Sequence, residues 1–330
     1  MSEETAQGTA EEATRGTGRV PDFFLAGHPK SGTTALYQML KAHPQVFMPN
    51  LKEPLYFASD MRARFQTSHT KQQPQTLDAY LALFSAAKPG QLVGEASTSY
   101  LWSCSAAAAI AAAQPSARII AVLREPASFL RSLHMQLMQI HVESERDFAK
   151  AIALEPARRE GREIPRLSHR PQLLLYSEHV RYVEQLRRYE SLFAPEQLMV
   201  IIYDDFRADN EATARSIMRF LDIDDSAPVR AREANPTVVV RSQRLHALAR
   251  AAAVGDSRLG RTAYSLVKRL GPRQIQRIGA VRDRLTLGSP EQPDERLMLA
   301  LRRRFKPEVQ ALSDHLGRDL VALWGYDGLS

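Results

Sequence analysis

The 330-residue chain has a single cysteine, Cys104, which excludes an intrachain disulfide and a cysteine-cluster zinc site. Nor is there a long apolar run. The longest weakly polar stretch, Ser105 to Ala113, is alanine-rich and falls well short of the ~20 apolar residues that span a bilayer, so no integral membrane segment is expected. The first twenty residues, MSEETAQGTAEEATRGTGRV, lack an apolar h-region and read as a disordered tail and not as a signal peptide; a cytoplasmic location is the expectation. No grouping of histidines and carboxylates has metal-ligand spacing, so no metal is expected. Strong charge is missing too: the formal net charge of +7 suits an anionic ligand but gives no reason to expect nucleic acid.

What is present is the composition of an ordinary globular protein, 44% hydrophobic and 25% charged, and residues 21–330 are expected to form one domain. Apolar runs at Phe23–Gly27 (FFLAG), Arg118–Leu123 (RIIAVL) and Leu198–Tyr203 (LMVIIY) read as buried strands. Helical periodicity follows the first of them in TTALYQMLKAH. Further helices are predicted from Pro126 to about Ile140, over Leu77–Phe84 and Leu173–Tyr189, and over Asn210–Leu221 behind Asp209 as N-cap. The stretch from Glu291 to Trp324 reads as an amphipathic helix interrupted at Pro307. Strands alternating with helices imply an α/β fold, a P-loop-like three-layer arrangement with a central, mainly parallel sheet flanked by helices and extra helices at the C-terminal end. Ligands of such sheets bind beyond the carboxyl ends of the strands. Residues 255–290 are strongly basic and read as a solvated helical surface, or as a lid or docking face for an acidic protein partner.

Two loops at strand ends carry the chemistry. Gly27-His28-Pro29-Lys30-Ser31-Gly32-Thr33-Thr34 keeps the G-x-x-x-x-G spacing of a phosphate-binding loop between a strand and a helix, where free backbone N–H groups and the helix dipole favour an anion. Its lysine, Lys30, precedes the second glycine instead of following it as in an NTPase, a position suited to a shorter 5′ group than a triphosphate. The second loop, Leu123-Arg124-Glu125-Pro126, opens a helix on which Ser132 stands eight residues beyond Arg124. That spacing allows both side chains to reach a second, separate phosphate.

KSGTT (Lys30–Thr34) resembles the 5′-phosphosulfate loop of sulfotransferases that use the donor PAPS (3′-phosphoadenosine-5′-phosphosulfate), and REPASFLRS (Arg124–Ser132) resembles their 3′-phosphate motif. The resemblance runs from about Pro21 to Leu221. It implies that Lys30, Ser31, Gly32, Thr33 and Thr34 hold the 5′ end of the nucleotide and that Arg124 and Ser132 hold the 3′-phosphate. The chain is more similar to the glycan (heparan-like) branch and its bacterial relatives than to the cytosolic phenol and steroid enzymes, which usually carry a tryptophan where this chain has Ala35. HPQVFMPNLKEPLYF (His43–Phe57) resembles the glycan-type segment in which an acidic residue before paired aromatics is the catalytic base; the matching residue is Glu53. GEASTSYL (Gly94–Leu101) resembles the substrate-side loop of that branch, with Ala96 where many members have lysine.

The activity so implied is transfer of a sulfuryl group from PAPS to a hydroxyl of a small-molecule, lipid or saccharide acceptor, leaving PAP. Lys30 would stabilise the leaving oxygen and Glu53 would take the hydroxyl proton. Glu95 is a reserve base, and His28, His134 and His141 lie close enough to the motifs to stay open as alternatives. A P-loop kinase or NTPase is the main rival, because LMVIIYDD ends in Asp204 and Asp205, which could hold magnesium. A nucleotide-binding protein without catalysis is a third reading. Acceptor contacts are expected from residues 59–75, 143–170 and 255–290.

Overall fold

A computed structural model of the chain describes residues 18–65, 67, 70–229, 239–240, 287–288 and 292–329. Most of the expected N-terminal tail and nearly all of the basic segment 255–290 therefore lie outside the described residues. Five strands, β1 (Phe23–Gly27), β2 (Val46–Phe47), β3 (Leu92–Ala96), β4 (Arg118–Leu123) and β5 (Leu198–Ile202), form one sheet in the order β2-β3-β1-β4-β5. Every pairing in it is parallel. A two-residue antiparallel pair, β6 (Val239–Val240) with β7 (Leu287–Gly288), forms a second sheet.

All five residues of β1 are buried, as expected of a strand covered on both faces. Phe23 and Leu25 turn to one side and meet α1 (Thr33–Lys41) and α9 (Asn210–Phe220) through Leu36, Leu40 and Ile217. Phe24 turns to the other and meets the rings of Phe57 and Tyr100. The expected Asp209 cap is present, its carboxylate accepting from the Ala212 N–H at 2.8 Å.

The remaining described helices are α2 (Leu77–Leu81), α3 (Ala106–Ala113), α4 (Pro126–Gln139), α5 (Phe148–Ala153), α6 (Glu155–Arg159), α7 (Tyr182–Glu190), α8 (Tyr203–Ala208), α10 (Glu295–Leu316) and α11 (Leu320–Leu323). Three differ from the sequence reading. The long helix expected over 173–189 is two 3₁₀ turns, Pro171–Leu174 and Tyr176–Val180, followed by α7. The break lets the Gln185 amide donate to the carbonyls of Glu178 and His179 at 3.0 and 3.1 Å. Tyr203 opens α8 instead of closing β5. Finally, α10 continues through Pro307, which is exposed; the carbonyl it leaves without an N–H partner belongs to the exposed Arg303, where water can satisfy it.

The chain divides into two compact units, one of residues 1–129, 177–235 and 301–330, the other of 130–176 and 236–300. The sheet belongs to the first. The second contains a buried ion pair in which Arg158 donates from both terminal nitrogens to Glu143, at 2.7 and 2.8 Å. Burial alone would raise the Glu143 pKa, but Arg158 and the backbone N–H groups of Ser144 and Glu145 hold it below the usual carboxylate range. Among the described residues, no helix is long and apolar enough to cross a membrane.

Candidate active site

The phosphate loop leaves β1 at Gly27, whose φ is +129° and whose missing Cβ would lie 2.7 Å from the Val122 carbonyl oxygen. A side chain there would push β1 and β4 apart. Lys30 and Gly32 both adopt left-handed backbone angles, φ 65° and 80°. Gly32 is the N-cap of α1, with no side-chain cap and no acid in the first turn, so the first amides of the helix are left to an incoming anion. The Ser31 hydroxyl is buried in the same turn and has no partner among the described residues.

Lys30 and Arg124 come together here. Arg124, at the carboxyl end of β4, donates to the Lys30 carbonyl at 2.6 Å. Burial, and then the charge of Arg124, lower the Lys30 pKa; burial also lowers that of Arg124. Two cations in a partly dehydrated loop form a site that an anion stabilises. The guanidinium of Arg124 lies 4.9 Å from the Tyr203 ring centroid, and its carbonyl accepts from the Tyr182 hydroxyl at 2.8 Å. Tyr203 and Phe206 of α8 also explain Gly32, since a Cβ there would meet both rings. None of these aromatics was picked out from sequence; the available signal was the tyrosine immediately after β5.

Glu125, next to Arg124, caps α4 by accepting from Ala127 and Ser128 N–H groups at 3.0 and 2.7 Å, and also accepts from the Tyr326 hydroxyl at 2.5 Å. Ser132 lies two turns along α4 and is buried.

Glu53 belongs to a segment clamped to the end of β3. The N–H groups of Glu53, Leu55 and Phe57 donate to the Ala96 carbonyl, the Ser97 hydroxyl and the Tyr100 hydroxyl at 2.9, 3.1 and 3.2 Å. Between these anchors Glu53 and Leu55 hold left-handed φ values of 62° and 56°, a strain of about 1–2 kcal/mol per non-glycine residue. The Glu53 carboxylate accepts from the Thr98 N–H and hydroxyl, both at 2.9 Å, and from Lys52 at 2.8 Å. Its hydrogen bonds thus run to the β3 end and to Lys52. Glu95, inside β3, is fully buried, and its pKa is pushed up to about 7 by burial, against the pull of hydroxyls from Ser97, Tyr80 and Tyr100.

Of the candidate histidines, His28 and His134 are hydrogen-bonded within the fold. His28 is fully buried with Nε2 3.0 Å from the Gln185 Oε1, and burial drives its pKa down to about 3. Because the Gln185 amide nitrogen already donates to two carbonyls, its oxygen accepts and His28 carries its proton on Nε2. His134 is buried and engages the Glu145 carbonyl at 2.8 Å. His141 has a φ of 58° just past α4. The two aspartates that gave the kinase reading its support are engaged by the C-terminal segment: Trp324 Nε1 donates to Asp204 at 2.9 Å, and Arg318 pairs with Asp205 at 2.5 and 2.7 Å.

A glycine-bounded loop at the end of the middle strand of a parallel sheet, with an arginine at the end of the neighbouring strand, places the chain among α/β proteins of the P-loop-like class. The model of the sulfotransferase family matches residues 21–227, and the chain belongs to that family. Among curated proteins, carbohydrate sulfotransferase 15 of Mus musculus is 28% identical over 148 aligned positions, and that of Homo sapiens 29% identical over the same length. Each match covers 34% of this chain and 26% of the relative, so the chain corresponds to about a quarter of those proteins' length. Among solved structures, a sulfotransferase from Alicyclobacillus acidocaldarius superposes with a TM-score of 0.66 at 23% identity, covering 92% of this chain and 98% of that one, which shows a shared fold.

Proposed function

We propose that the chain transfers a sulfuryl group from PAPS to a hydroxyl group, with a saccharide as the favoured acceptor class. The observation that carries the reading is the row of three adjacent strand ends. β3, whose end holds Glu53, β1, whose end bears Lys30, and β4, whose end bears Arg124, are consecutive in the sheet, and parallel neighbours lie about 4.8 Å apart. Acceptor base, 5′ loop and 3′-phosphate ligand would then follow one another along a single edge. The names of the carbohydrate sulfotransferase relatives support a saccharide hydroxyl.

In this reading the acceptor oxygen attacks sulfur in line as the bond from sulfur to the 5′-phosphate oxygen breaks. Negative charge grows on that leaving oxygen, where Lys30, the Ser31 hydroxyl and the amides of Gly32, Thr33 and Thr34 stabilise it. Glu53 takes the acceptor's proton, help worth about 10²–10⁴-fold in rate. Arg124 binds the 3′-phosphate; the assignment of Ser132 to that phosphate rests on the sequence motif alone.

Calorimetric titration of the full chain with PAP, without magnesium, tests the donor site. Tight binding that weakens at least about tenfold in Arg124→Ala, as expected for loss of a charge-assisted contact, is the predicted result. A folded chain that does not bind PAP would overturn the reading. Transfer of the radiolabelled sulfuryl group from PAPS to a panel of neutral and acidic oligosaccharides tests the acceptor class, and Glu53→Gln should slow that transfer by about 10²–10⁴-fold while leaving PAP affinity intact.

A further inference from the structure

Glu95 is a charged residue type placed where no solvent reaches it, inside β3 and paired in register with Phe24 of β1. Both of its tyrosine contacts fall on one oxygen: Tyr80 and Tyr100 donate to Oε2 at 2.8 and 2.9 Å. Each tyrosine also grips one of two consecutive residues that follow Glu53. The Tyr100 hydroxyl accepts the Phe57 N–H at 3.2 Å. The Tyr80 ring stacks on Tyr56, centroids 4.6 Å apart and planes 13° from parallel, and meets Phe57 edge-on at 5.2 Å. The segment held in this way is the one whose backbone adopts left-handed angles at Glu53 and Leu55.

We infer that Glu95 is a positioning residue for Glu53, its single oxygen fixing two tyrosines that pin Tyr56 and Phe57 and so aim the Glu53 carboxylate at the sheet edge. The inference rests on the reading of Glu53 as the base. A hydrophobic residue of similar size would fill the volume of Glu95 without holding either hydroxyl, so the two roles separate by experiment. With the acceptor gone, the buried Tyr80 and Tyr100 hydroxyls lose the oxygen they donate to and the strained segment loses the anchor that keeps it from relaxing.

The test is residue-resolved amide hydrogen exchange by NMR on the full chain. In Glu95→Leu, exchange at Phe57, which donates to Tyr100, and at Thr98, which donates to Glu53 itself, should accelerate about tenfold or more. Exchange at Leu25 and Ile120 in the sheet, and PAP affinity, should stay within about twofold. Glu95→Gln, whose one carbonyl oxygen can accept both hydroxyls, should restore slow exchange at Phe57 and Thr98. Unchanged exchange in Glu95→Leu, uniform acceleration throughout the sheet, or a Glu95→Gln variant as loose as Glu95→Leu would each overturn the inference. If Glu95→Leu does not fold, Tyr100→Phe replaces it with the same expected pattern. Failure of the base reading is separately visible, as sulfuryl transfer that survives Glu53→Gln while the exchange results stand.

Discussion

Removing the ionisable proton of Glu95 should change how the protein's stability depends on pH. The carboxyl is fully buried and its pKa is raised from 4.5 to about 7, chiefly by burial, so between those values the folded chain keeps a proton that the unfolded chain has released. Stability therefore falls as pH rises through this window, and the contribution is complete only below the unfolded pKa. At about 1.4 kcal/mol per pH unit, the loss approaches ~3 kcal/mol by about pH 8. Glu95→Gln keeps an acceptor for both tyrosines but has nothing to ionise. Urea denaturation of both proteins at about pH 4 and pH 8 isolates the effect, because every other titrating group cancels in the difference. The wild type should lose ~3 kcal/mol relative to Glu95→Gln between the two conditions. A constant difference would mean that Glu95 ionises normally and that its burial is relieved by rearrangement.

Gly32→Ala should weaken PAP binding at least about tenfold and lower stability by about 1–2 kcal/mol, read by calorimetry and urea denaturation, because φ is +80° and a Cβ would sit 2.8 Å from the Phe206 ring. In the second unit, Arg158→Met should cost about 3–5 kcal/mol by leaving the Glu143 carboxylate buried without its cation, and the double variant Arg158→Met/Glu143→Gln, which removes the charge but keeps an acceptor for the Ser144 and Glu145 amides and the Tyr176 hydroxyl, should recover most of that loss. A double variant no more stable than the single one would refute this account of the pair.

Those parts of the site that use local chemistry were legible in the sequence. Phe23–Gly27 is uniformly apolar, and the glycines at 27 and 32 stand at positions where backbone crowding or left-handed φ requires them. Arg118–Leu123 followed by Arg124 and Pro126 gave its strand and helix start in the same way. β3 was harder to see, since Gly94 and Glu95 are poor strand formers. Gly94 is explained by packing: a Cβ would fall 2.1 Å from the Phe23 ring and 2.5 Å from the Met48 sulfur. The setting of Glu95 was illegible because its two tyrosines come from α2 and from the turn after β3, and no local pattern announces that they converge. The left-handed angles at Glu53 and Leu55 were equally hidden, being imposed by hydrogen bonds to residues more than forty positions away.

The C-terminal residues brace the elements that pack against Gly32 and Arg124. Trp324 and Arg318 hold Asp204 and Asp205 on α8, the helix whose Tyr203 and Phe206 lie against Gly32 and Arg124; Tyr326 holds Glu125, the cap that immediately follows Arg124. A chain trimmed before Arg318, by proteolysis or by the choice of where to end an expression clone, would keep every residue of both phosphate motifs and yet lose their backing. Under the proposed function, donor affinity would depend on sequence almost two hundred positions beyond Ser132, and a fragment ending there would be the wrong reagent for testing it.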